Sequence, residues 1–129
     1  MKVLYIGHYR EGTGWANAAI DYILSMHKAG IDVVCRPVRL NNSSPEIPKE
    51  IEELEKKSVK GCNICIQHVL PHMLDYNGNF EKNIAIYATE TSHFQKTTWA
   101  EKINTMDEAW VINQEMVHSS TLSGVTIPI

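Results

Sequence analysis

No apolar run in this sequence approaches the roughly 20 residues that a membrane span requires. Nor is there a signal-peptide pattern, because Met1-Lys2 leads directly into the strand-like VLYIG. Basic charge is scarce: 12 Lys and Arg against 15 Asp and Glu leave a net charge of −3, so no nucleic-acid partner is expected. Three cysteines make an odd count and suggest no disulfide framework, so a reducing, cytoplasmic setting is expected. Three familiar phosphate and redox signatures are also missing. Gly12-Thr13-Gly14 is not a dinucleotide fingerprint, since the third glycine would fall at Asn17. No Gly-Lys-Ser/Thr follows it, which removes the P-loop. Cys62 and Cys65 form a C-x-x-C that enters a strand rather than opening a helix, so the dipole that activates a redox thiol is absent. On a strand, residues three apart face opposite sides, which makes Cys65 a core residue and Cys62 incidental.

The residues that are present read as alternating strands and helices. Val3 to Ile6 is a continuous apolar run, as in a strand covered on both faces. Ala16, Ala19, Ile20, Ile23, Leu24 and His27 then recur at helical spacing, and Gly30 ends that helix. Ile31 to Cys35, Asn63 to Gln67, Asn83 to Ala88 and Ala109 to Ile112 follow as strands. Glu46 to Lys57 reads as a helix whose charge run is a solvated face. Another helix begins near Thr98, which has capping-box spacing to Glu101. Asn113 is placed to cap a last helix over 114–123, stopped by Gly124, and VTIPI leads toward a further strand. The order implies an α/β fold: one Rossmann-like domain with a parallel sheet and helices on both faces. Trp99, Trp110, Tyr22 and Tyr87 read as packing residues.

In such sheets ligands bind outside the carboxyl ends of the strands. Gly12, Thr13, Gly14 and Trp15 sit where the first strand meets a helix start, whose free N–H groups and dipole favour phosphate. Arg10 is placed to add charge there. Glu90, Thr91 and His93 follow the fourth strand, and a carboxylate beside an imidazole suits acid–base work or sugar hydroxyls; the plainer reading is helix-start capping. His68 ends the third strand and is a candidate for contacting an acceptor. His68 and His72 have the spacing of metal ligands, but Pro71 lies between them and no further ligand completes a set, so no metal is expected.

Three stretches together resemble the N-terminal domain of a GT-B glycosyltransferase of the family 4 type: VLYIGHYREGTGWANAA, IAIYATETSHF and INTMDEAWVINQEMVHSSTLSGVTIPI. The resemblance implies half of a two-domain architecture, spanning 1–129 and cut before its last strand and the donor-binding domain. It implies retaining transfer from a nucleotide-sugar donor substrate to a carbohydrate or other acceptor, with no metal and no separate cofactor. By resemblance Gly12, Thr13, Gly14 and Trp15 meet the donor diphosphate or sugar. His68, Thr91, His93 and Asn113 line the acceptor side, and Glu90 is the candidate catalytic residue. The missing domain would have to be supplied in cis or in trans, the isolated chain is expected to be inactive, and an open sheet edge near Val125 to Ile129 invites self-association. The alternatives are a non-enzymatic sugar- or phosphate-binding module and a small NADP-binding oxidoreductase, for which Arg36 would face the 2′-phosphate.

Overall fold

Five short strands rich in β-branched residues pair side by side in the computed structural model, which describes residues 2–10, 14–38, 47–87, 99–111 and 114–129, with backbone only at 14 and 15. The elements are β1 (Lys2–Gly7), α1 (Gly14–Lys28), β2 (Asp32–Pro37), α2 (Lys49–Glu55), β3 (Ile64–His68), a 3-10 turn at Pro71–Met73, β4 (Lys82–Ile86), α3 (Trp99–Asn104), β5 (Glu108–Trp110) and α4 (Gln114–Leu122). All neighbouring strands run parallel, in the order β2-β1-β3-β4-β5. The expected α/β Rossmann-like sheet is therefore present. Its order reverses between β1 and β3, and there the last residues Gly7 and His68 lie opposite one another.

Strand parity divides the core. Val3, Tyr5, Val33, Cys35, Ile66, Ile84 and Ile86 face α1 and α2, burying Ala19, Ile23, Ile51 and Leu54 with them. The other face holds Ala85, Tyr87, Ala100, Ile103 and Ala109 under α3, and Leu4, Val34, Cys62 and Cys65 beneath a loop. Helices thus cover both faces. The helical stripe of α1 buries Ala16, Ala19 and Ile23, whereas His27 is exposed in the last turn, beside Lys28 at the negative end of the dipole.

Several expectations need correction. Cys62 and Cys65 do not point apart, because Cys62 precedes β3 and escapes its two-residue alternation; both lie in one buried cluster. Burial raises both thiols, Cys65 to about 11, so neither is an activated nucleophile. The helix expected over 46–57 runs only from Lys49 to Glu55, with residue 46 outside the described residues. Its end is set by Arg36, whose guanidinium donates to the carbonyls of Glu55 and Lys57, both at 2.6 Å. Gly30 and Gly124 do end helices in the left-handed region, at φ 87° and 102°. VTIPI lies along the outer side of β5, where Ala109 N–H donates to Pro128 O at 2.8 Å. Asn104 holds that segment through Gly124 O and Thr126 N–H.

Two buried amides pin the segment between β3 and β4. Gln67 donates to Asp75 O at 2.7 Å and accepts from Asp75 N–H at 3.0 Å. Asn83 does the same with Asn77, donating at 3.0 Å and accepting at 3.3 Å. Each amide copies the donor–acceptor pattern of a strand backbone, so a loop without ladder bonds is still held at two points.

Candidate functional site

The carboxyl edge of β1 and β3 is built from two histidines and a glycine. A Cβ on Gly7 would meet Tyr5 Cε1 at 3.0 Å and His68 O at 3.3 Å, so the close approach of the two strands leaves little room for a side chain. His8 follows and is buried. Its Nδ1 lies 2.8 Å from Val38 O, and Leu70 N–H donates to its Nε2 at 3.4 Å. A carbonyl needs a donor and an N–H needs an acceptor, so the proton belongs on Nδ1. His8 thereby ties the ends of β2 and β3 to that of β1.

His68, on β3, is 6 % exposed. Its Nδ1 shares a hydrogen bond with Tyr5 Oη at 2.5 Å. The Tyr5 ring stands edge-on to it at 6.0 Å and the Tyr22 ring of α1 lies tilted at 5.6 Å. Burial, with a smaller contribution from His8, lowers the imidazole pKa to about 4. Burial also holds the Tyr5 phenol well above its ordinary value. Both groups are therefore uncharged at neutral pH. Such an imidazole suits hydrogen bonding to a hydroxyl better than ion pairing or proton abstraction.

Arg10 is not offered to a phosphate. Its Nε and a terminal nitrogen both reach the Glu55 carboxylate, at 2.9 and 3.3 Å, and the buried Tyr9 phenol donates to the same carboxylate at 2.7 Å. Burial raises the Glu55 pKa, but the hydrogen bonds from Arg10 and Tyr9 outweigh it and the net direction is downward. Glu55 is thus a tether between the β1 end and α2, and not part of a solvated face. We expect Glu55→Ala to cost about 1–2 kcal/mol in urea unfolding, because it strands a buried phenol and frees an arginine. A loss below about 0.3 kcal/mol, the level of an ordinary exposed position, would contradict this role. Arg36 is likewise engaged with the α2 carbonyls rather than presented to a 2′-phosphate.

Of the other sequence candidates, Gly14 and Trp15 are the first two residues of α1. Gly12, Thr13, Glu90, Thr91, His93 and Asn113 lie outside the described residues. His72 is exposed on the 3-10 turn while His68 is buried. Among the described residues no three His, Cys, Asp or Glu side chains converge as a metal site would need.

Two residues expected to be packing are not. Tyr22 is 38 % exposed and Trp110 is 42 % exposed. β5 is an edge strand, and Trp110 lies opposite Ile86 on the α1 face, beyond the strands that α1 contacts most. Together with Tyr5, Ile66, Ile86 and Ser25 they line a cavity of about 470 Å³. A small clue lay in Glu108-Ala109-Trp110: an acid two residues before an aromatic shares its face on a strand and can anchor its indole N–H. Among the described residues no helix is long and apolar enough to cross a membrane. Comparison with protein-family models, with curated proteins and with solved structures found no match to this chain.

Proposed function

We propose that this chain is the acceptor-side domain of a retaining glycosyltransferase that moves a sugar from a nucleotide-sugar donor to a glycan or other hydroxyl acceptor. The reading is carried by the order β2-β1-β3-β4-β5, whose reversal joins the end of β1, the lead-in to the Gly12-Thr13-Gly14 loop, with His68 at the end of β3. That crevice is where open parallel sheets take ligands. The start of α1 at Gly14 supplies N–H groups and positive dipole for a diphosphate, while Arg10 is held by Glu55. A neutral His68 suits an acceptor hydroxyl. Glu90 is the proposed catalytic carboxylate, with Thr91, His93 and Asn113 on the acceptor side. The partner implied is a donor-binding domain, in cis or in trans, and the working compartment is the cytoplasm.

Calorimetric titration separates this from the alternatives. Simple alkyl glycosides are expected to bind the chain, UDP- and GDP-sugars to bind more weakly, and Gly14→Val to weaken the sugar nucleotides about tenfold. Binding of NADPH with no response to glycosides or sugar nucleotides would overturn the proposal.

A further inference from the structure

The cavity between α1 and the β3–β5 half of the sheet is walled by aromatic rings. Tyr5, Tyr22 and Trp110 line it together with the aliphatic side chains of Ile66 and Ile86, and Ser25 contributes a hydroxyl. At about 470 Å³ it has the size of a small-molecule site. We propose that it binds an uncharged, planar aromatic compound in contact with Tyr22 and Trp110.

Trp110 carries the argument. An exposed tryptophan on an edge strand would ordinarily sample several rotamers. Here its Nε1–H donates to Glu108 Oε1 at 3.0 Å, and Lys82 holds the other Glu108 oxygen at 2.8 Å. These contacts favour one orientation of the indole before a ligand arrives, and a preoriented ring loses less entropy on binding. Tyr22 is positioned by its contact with the His68 ring. Aromatic side chains beside aliphatic ones in one lining favour a flat ring, which gains stacking beyond the area it buries. Charge is disfavoured because the described lining carries no ionised side chain, and the nearby Lys82 and Glu108 neutralise each other. An ionic ligand would lose hydration with nothing to replace it. The inference shares His68, which positions Tyr22, with the acceptor side of the sugar-transfer reading, but uses none of the residues assigned there to the donor or to catalysis.

The probe is 2-naphthol, titrated calorimetrically into the full chain, with 2-naphthoate as its charged counterpart and decahydro-2-naphthol as its saturated one. Saturable binding of 2-naphthol is expected, with both comparison compounds weaker by about fivefold or more. Trp110→Leu and Tyr22→Leu should each weaken it about tenfold. Glu108→Ala, which releases the indole without removing it, should weaken it about threefold. Both aromatic side chains are partly exposed, so the variants should fold, as circular dichroism will verify. The proposal fails if 2-naphthol does not bind, if 2-naphthoate binds equally well, or if both aromatic variants retain wild-type affinity. It also fails if the chain sediments as a dimer that Trp110→Leu dissociates, because a second copy would then fill the cavity. Glycoside binding is measured independently, so failure here leaves the acceptor-domain reading standing.

Discussion

Asn83→Asp should destabilise the protein by about 3 kcal/mol at pH 7, and by far less near pH 4. Asn83 is fully buried. Its Nδ2 donates to Asn77 O and its Oδ1 accepts from Asn77 N–H. An ionised aspartate keeps the acceptor but turns a second oxygen toward the Asn77 carbonyl. It also lies close to the Asp107 carboxylate, which already accepts the Asn83 backbone N–H at 2.7 Å. A protonated aspartic acid, by contrast, can donate O–H where the amide donated N–H. The folded state therefore raises the pKa of the introduced acid above its unfolded value of about 3.9. The native state binds the extra proton, so the variant is most stable below that value and loses stability as pH rises. Asn83→Leu removes both bonds without adding charge and should cost about 2 kcal/mol at every pH, since the exposed Asn77 can turn to water. Urea unfolding of both variants against wild type at pH 4 and pH 7 separates the cases. An Asp variant that loses the same amount at both pH values would show that the amide is not a required donor.

The same two amides show where the sequence stops being readable. Gln67 ends the run NICIQ and Asn83 opens NIAIYA, and a polar residue at the end of a strand looks like one that faces water. Their burial depends on Asp75 and Asn77 folding back over the sheet, a long-range event that alternation does not encode. Glu55 is similar: among Glu50, Glu52 and Glu53 it is one more acid on a charged helix, until Tyr9 and Arg10 arrive from β1. Arg36 adjoins α2 only because β2 and α2 pack together. Features carried by local chemistry were legible. The apolar run of β1 became a strand covered on both faces, and the helix-ending glycines at 30 and 124 took left-handed backbone. The Rossmann-like parallel sheet followed from the alternation of strand and helix signals.

The candidate site divides along the same line. His68 could be placed at a strand end from sequence, but its burial against Tyr5 and Tyr22 could not, because those rings come from β1 and α1. Trp110 and Tyr22 illustrate the converse error. Aromatics in strands and helices are most often core, yet β5 is the edge of the sheet, and α1 lies closest to β1 and β2. Edge position is a property of topology, and the order β2-β1-β3-β4-β5 cannot be deduced from element order alone. Gly12, Thr13, Glu90, Thr91, His93 and Asn113 belong to segments outside the described residues, so their proposed roles rest on sequence position.

Acid should weaken the fold well before its carboxylates titrate, and His68 is the reason. The buried imidazole falls from the ordinary 6.5 to about 4 on folding. Between those values the unfolded chain binds a proton that the native state refuses, so stability is full above about pH 6.5 and declines as pH falls. At about 1.4 kcal/mol for each pH unit separating the two values, the loss reaches about 2 kcal/mol by pH 5 and about 3 kcal/mol at pH 4. The carboxylates with shifted values act elsewhere. Hydrogen bonds from Lys57 lower Asp32, those from Lys82 and Trp110 lower Glu108, and those from Arg10 and Tyr9 lower Glu55 against its burial. Their stabilisation is present above the unfolded carboxylate values and is lost only as pH drops below about 4.5. The interval from pH 6.5 to 4.5 therefore isolates His68 from these acids. Urea midpoints measured across it should fall steadily for wild type and less steeply for His68→Gln, which keeps an amide within reach of Tyr5 but cannot take up a proton. The slopes are the quantity to compare, since the substitution carries its own pH-independent cost. An equal slope in both proteins would mean that His68 is hydrated enough to titrate normally. A neutral hydrogen-bonding role at the β3 end would then be lost along with the acid sensitivity.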